Sequence, residues 1–173
     1  NSFPNVIKES GGKGMPRTTF KEKMTVGRGG DRIDLFHFGR GHTNGDAWVV
    51  FPSLRIMHAG DMFPNKNIPI MDANAGGSGL EFPETLAKAF QTIKDVDTII
   101  GGHSPTTMPM SDLKVYADFN REFVNAVRDA KKAGKSVEDV VSGWKTPSTY
   151  TGYGAAQPNS VKNAAQVIFN ELK

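Results

Sequence analysis

Cysteine is missing from all 173 positions, and this one absence removes disulfide frameworks, thiolate metal sites and cysteine nucleophiles together. Any metal held by the chain must sit on nitrogen and oxygen. Long apolar runs are missing too. No stretch approaches the roughly 20 residues of a membrane span, so a soluble protein without a membrane partner is expected, cytoplasmic or exported. The opening Asn1-Ser2-Phe3-Pro4 resembles neither a signal peptide nor a natural start, which predicts a segment upstream. Excess charge is slight: 21 Lys and Arg against 18 Asp and Glu leave +3, too little to attract a nucleic acid from a distance. Eight basic residues between Lys8 and Arg40 fit solvated strand edges and turns. No repeat or linker divides the chain, so 1–173 is expected to be a single domain, irregular over 1–17.

The patterns that are present place strands first and helices last. Thr18 to Val26 and Arg32 to Phe38 alternate apolar with polar residues around the turn-prone Gly29-Gly30-Asp31, which predicts a hairpin. Ala47 to Phe51 and Leu54 to His58 predict two further strands joined through Pro52-Ser53, and Asp97 to Ile100 predicts another. Leu86, Ala89, Phe90 and Ile93 recur at helical spacing behind Pro83. A longer helix is expected from Ser111 to Ala133, with Tyr116, Phe119, Phe123, Val127 and Ala130 on one stripe and Gly134 as its stop. Ser136-Val137-Glu138-Asp139 reads as a capping box, and Ser160 to Leu172 as a last amphipathic helix.

Three glycine-flanked ligand types follow predicted strands: His42 in Gly41-His42-Thr43-Asn44-Gly45-Asp46, Asp61 in His58-Ala59-Gly60-Asp61, and His103 after Gly101-Gly102. Backbone anchored by a sheet can fix a ligand while glycine lets the chain bend sharply around it. Imidazole and carboxylate suit zinc and also manganese or iron. Separations of 19 and 42 residues (61 − 42 and 103 − 61) form no local ligand motif. On spacing alone, capping and turn hydrogen bonding by the same side chains stays open. His37 and His58 read as packed or turn-bound, and Trp48, Trp144, Tyr150 and Tyr153 as core or interface aromatics.

The order and intervals of these three motifs, with Gly76-Gly77-Ser78 between them, resemble the second half of the metallo-β-lactamase superfamily, in particular its β-lactamase-like hydrolases. The resemblance implies an α+β fold: half of an αββα sandwich, one mixed β-sheet with helices packed on one face. It implies two zinc ions, with His42 on the first, Asp61 bridging and His103 on the second. Thr43, Asn44 and Asp46 would then be supporting or turn-forming groups that fix His42, and the loop Pro64 to Leu80, with Asp72, Gly76, Gly77 and Ser78, would face a small-molecule substrate, an ordinary surface connection being the alternative. The family's remaining ligands and its general base lie in a His-x-His-x-Asp-His motif, which this sequence lacks.

The expectation is therefore the C-terminal fragment of a metal-dependent hydrolase of an ester, lactone, thioester or amide bond, inactive alone. Its bare sheet face would be covered by the missing N-terminal half or by a second copy in a homodimer. The alternative is a non-catalytic scaffold or interaction domain that keeps these residues for turn geometry.

Overall fold

A computed structural model describes residues 7, 8 and 10–173. Of the opening expected to be irregular, residues 1–6 and 9 lie outside the described residues. Ile7, Lys8 and Ser10 instead carry helical backbone, and the Ser10 hydroxyl then closes a turn by donating to the Lys13 carbonyl at 2.9 Å.

The strands β1 (Lys23–Val26), β2 (Ile33–Phe36), β3 (Trp48–Phe51), β4 (Ile56–Gly60), β5 (Thr98–Gly101) and β6 (Met108–Pro109) form one sheet in sequential order. All neighbours pair antiparallel except β4 and β5, which are parallel. A parallel pair needs a crossover connection, and the helix α1 (Phe82–Thr92) lies in it. The helices α2 (Ser111–Lys132), α3 (Val137–Gly143) and α4 (Pro158–Glu171) come after the last strand. The mixed sheet and the strands-then-helices order match the expectation.

The boundaries differ in instructive places. Residues 18–22 form no strand, so β1 is shorter than its alternation suggests. The strand expected to end at His58 continues to Gly60, because the parallel partner β5 draws two more residues into its ladder through an irregular register. Pro52–Leu54 tightens into a 3-10 turn that ends on Arg55 at φ 55°. The strand β6 has only two residues, too few to leave a periodic signal.

Register explains the core. Side chains alternate across a sheet, and the paired row Val50, Met57, Ile99, Met108 faces the helices and is buried. Against it pack Phe82, Leu86 and Ala89 of α1, Tyr116, Phe119, Phe123 and Val127 of α2, and Val161, Ala164, Ala165 and Ile168 of α4. Each large side chain fully buried this way contributes about 1.5–3 kcal/mol. Tyr116 stacks on Phe63 with ring centroids 4.3 Å apart, Trp144 meets Phe123 at 5.0 Å, and Tyr153 meets Phe119 at 4.7 Å. Burial pushes the Tyr116 and Tyr153 phenols up. The Ser136–Asp139 capping box forms as expected, and the Ser136 N–H and hydroxyl hold the Asp139 carboxyl below its ordinary range.

The opposite face has a different character. Its paired row is Met24, Leu35, Val49, His58 and Ile100, flanked by Val26, Ile33, Phe51 and Ile56, and none of these is buried. Val26 is 48% and Ile100 38% exposed.

Candidate metal centre

Strands β2, β4 and β5 run in one direction, because β3 is antiparallel to both β2 and β4, and β5 is parallel to β4. Their C-terminal ends therefore share one edge of the sheet, where ligands collect in open sheets of this kind. His42 follows β2, Asp61 leaves the end of β4, and His103 follows β5. Topology thus assembles residues that are 61 positions apart (103 − 42).

The two imidazoles meet one carboxylate. His42 Nε2 lies 3.5 Å from Asp61 Oδ2, and His103 Nε2 lies 3.3 Å from Asp61 Oδ1. His42 Nδ1 is 2.6 Å from the Ile70 carbonyl. A carbonyl only accepts, so Nδ1 carries a proton, and Nε2 is the ring nitrogen turned toward Asp61. A metal-bound histidine likewise donates its other ring N–H to a neighbouring carbonyl or carboxylate. The donor set fits a metal as part of a larger set. Among the described residues no group of three or more His, Asp or Glu is closed around a metal position, and the His103 side chain is 71% exposed.

Glycine makes the convergence possible at two points. The Asp61 carboxylate rests directly on Gly102, where a Cβ would strike Asp61 Oδ1 and approach the Gly60 carbonyl carbon to 2.9 Å. We expect Gly102→Ala to cost about 1–3 kcal/mol by forced overpacking and to lower the melting temperature by roughly 3–10 °C, measured by thermal unfolding. At Gly77 a Cβ would strike the His42 carbonyl oxygen.

Thr43, Asn44 and Asp46 form the turn that carries His42. The Asp46 carboxylate accepts from the Thr43 N–H and hydroxyl, both at 2.8 Å, and the Asn44 N–H donates to Ala75 O. They shape the turn, and the partner of the His42 ring is the Ile70 carbonyl. Asp72, Gly76, Gly77 and Ser78 do not line the cavity. Asp72 N–H donates to His42 O and Ser78 N–H to Gly41 O, so this loop braces the His42 backbone from beneath. His37 is turn-bound through Asp46 O at 2.8 Å, and His58 Nδ1 accepts from the Gly60 N–H at 3.1 Å.

A cavity of about 390 Å³ opens over His42, Asp61 and His103. Its walls are Pro64, Asn65, Asn67, Ile68 and Ile70 from the earlier part of the loop, and Gln157 and Ser160 from the start of α4. The loop residues fall within Pro64 to Leu80, whereas Gln157 and Ser160 leave no signal in the sequence. Neutral amides and a hydroxyl in loops carry no motif, and a backbone carbonyl such as that of Ile70 has no side-chain signature at all.

The model of the Metallo-beta-lactamase superfamily matches residues 5–118. The chain belongs to the metallo-β-lactamase superfamily. Among solved structures, a metallo-beta-lactamase from Pontibacter korlensis is 21% identical, with a TM-score of 0.55 over 69% of this chain and 54% of its own. The stereoselective inverting sec-alkylsulfatase Pisa1 from Pseudomonas sp. is 11% identical, with a TM-score of 0.65 over 89% of this chain and 26% of its own. DIM-1 metallo-beta-lactamase exposed to ceftazidime is 19% identical, with a TM-score of 0.53 over 68% of this chain and 52% of its own. No curated protein matches. At these identities the structural matches show the metallo-β-lactamase fold alone, and the chain spans about half the length of the metallo-β-lactamases it matches. No described helix is long and apolar enough to cross a membrane.

Proposed function

We propose that this chain is the C-terminal part of a metal-dependent hydrolase acting on an ester, lactone, thioester or amide bond, with zinc as its metal. The observation that carries this reading is the Asp61 carboxylate, whose two oxygens each face a different imidazole nitrogen. Such a carboxylate suits a bridge between two cations, with His42 on one side and His103 on the other. Zinc sites need at least three protein ligands per ion, and this chain offers each ion one imidazole and one carboxylate oxygen. The remaining ligands and the general base come from another polypeptide segment, so the chain alone is inactive. Divalent cations bound here would supply Lewis acidity and a water ionised near neutral pH.

The cavity supports an uncharged substrate. Asn65, Asn67, Gln157 and Ser160 offer neutral hydrogen-bonding groups beside Pro64, Ile68 and Ile70, and none of the described lining residues is Lys or Arg. Lys66 lies within the lining segment, but its ammonium pairs with Asp112 at 2.8 Å. An anionic group on the substrate away from the reacting bond would find no cation in these walls and would lose its hydration.

The test is elemental analysis of the zinc-equilibrated chain with its completing segment, followed by hydrolysis assays on the same complex. We expect retained zinc and a kcat/KM for 4-nitrophenyl acetate at least about tenfold above that for its 4-carboxybutanoyl analogue, the equivalent of 1.4 kcal/mol. A preference for the carboxylate-bearing ester would overturn the substrate reading. A complex of the chain with its completing segment that retains no zinc would favour a non-catalytic scaffold.

A further inference from the structure

Helix α4 lies outside residues 5–118, the part of the chain that the family model matches, yet it reaches the metal centre. Asn163 of α4 clamps Met71: its Oδ1 accepts from the Met71 N–H at 2.9 Å, and its Nδ2 donates to the Met71 carbonyl at 3.3 Å. The Met71 N–H and the Ile70 carbonyl belong to one peptide unit. That unit is planar and rigid, so the direction of its N–H fixes the direction of its C=O. The C=O end is the group that receives His42 Nδ1 at 2.6 Å. We infer that Asn163 is a positioning residue for His42, acting through the Ile70–Met71 peptide to set the ring's tautomer and aim its Nε2 at Asp61.

Two further features make the relay stiff. Hydrogen bonding at the N–H end of an amide strengthens its carbonyl as an acceptor, so Asn163 reinforces the bond to His42 as well as orienting it. The helix itself is anchored, with Val161, Ala164, Ala165, Val167 and Ile168 buried. Eight residues further along, or about 12 Å, Glu171 Oε2 accepts from the Gly79 and Leu80 N–H groups at 2.9 and 3.1 Å. The helix therefore grips the loop beneath His42 at two separated points. Asp72 N–H, next along the chain from the clamped Met71, donates to the His42 carbonyl at 2.8 Å.

This inference rests on His42 being a metal ligand, and its test separates the two claims. In the metal-free chain, the His42 Nδ1 proton should give a slowly exchanging downfield NMR resonance. Asn163→Ala should lose it, whereas Asn163→Asp keeps an acceptor for the Met71 N–H and should retain it. Cobalt(II) added to each protein should bind about 10–100-fold more weakly to Asn163→Ala, the range for lost outer partners of metal-bound histidines. Asn163→Asp should stay within about threefold of wild type, the equivalent of one weak neutral hydrogen bond. Gln166→Ala, on the same helix, serves as the control for general destabilisation. An unchanged His42 resonance in folded Asn163→Ala would overturn the inference, as would its loss in Asn163→Asp. If wild type takes up no cobalt while the resonance still depends on Asn163, the positioning role stands and the metal reading falls.

Discussion

Asp61→Ala should abolish zinc uptake, while His103→Ala should leave partial uptake at the His42 side. The difference follows from what each side chain serves. Asp61 Oδ2 faces His42 and Asp61 Oδ1 faces His103, at 3.5 and 3.3 Å, so on the proposed two-ion reading removing the carboxylate strips both positions at once. Removing His103 strips one. The two histidines are also held unequally: His42 has its second nitrogen bonded to Ile70 O, whereas the His103 ring is 71% exposed. An ordered imidazole loses less entropy on binding, which makes the His42 position the tighter one. Loss of an outer partner alone costs ten- to hundredfold in affinity, so loss of the shared carboxylate should exceed about a hundredfold. Zinc titration against a competing chromophoric chelator measures this directly. Equal and complete loss in both variants would show one shared ion instead of two positions.

The sequence revealed the parts of this site that side chains and glycines encode. Gly41-His42, Gly60-Asp61 and Gly102-His103 mark sharp backbone turns at strand ends, and the fold brings all three to one edge because β2, β4 and β5 point the same way. The helices were legible for the same reason: Tyr116, Phe119, Phe123 and Val127 recur on one face of α2, and the Ser136–Asp139 box is a local hydrogen-bond pattern. What stayed hidden depends on long-range backbone contacts. The Ile70 carbonyl that orients His42 comes from 28 residues away, and Asn163 reaches Met71 across 92. Asn163 looks in sequence like one more polar residue on the wet side of an amphipathic helix. The resemblance turns the whole loop Pro64 to Leu80 toward substrate, because it follows Asp61 directly. Its glycines serve close backbone approach beneath His42, and its earlier part, residues 64–70, makes the cavity wall together with the start of α4.

The second large effect should come from the uncovered sheet face. The stripe of Met24, Leu35, Val49, His58 and Ile100 runs across five strands, with Val26, Ile33, Phe51 and Ile56 beside it. Contiguous apolar surface of this kind marks a protein contact, and because the chain spans about half the length of the metallo-β-lactamases it matches, we propose that its occupant is the segment that completes the metal site. Val49 sits at the centre, between Leu35 and His58. Val49→Lys removes a side chain whose full burial is worth about 1.5–3 kcal/mol and puts a charge that must be desolvated in its place. Association should weaken by at least about a hundredfold, since each 1.4 kcal/mol is tenfold. The fold itself should survive, because the side chain points away from the helical core, and an unchanged far-ultraviolet spectrum would confirm that the loss is one of pairing. His58 adds a requirement on the occupant. Its Nδ1 accepts from the Gly60 N–H, so the neutral ring turns an Nε2–H donor outward, and a surface that buries it must bring an acceptor. A wholly apolar cover would leave that donor unpaired at a cost of about 1–3 kcal/mol. His58→Phe should therefore tighten association with an apolar occupant and weaken it with one that presents a carbonyl or carboxylate there. Sedimentation velocity on wild type, Val49→Lys and His58→Phe separates these cases, and a wild-type chain that stays a dispersed monomer at high micromolar concentration, with no completing segment present, would exclude the second copy.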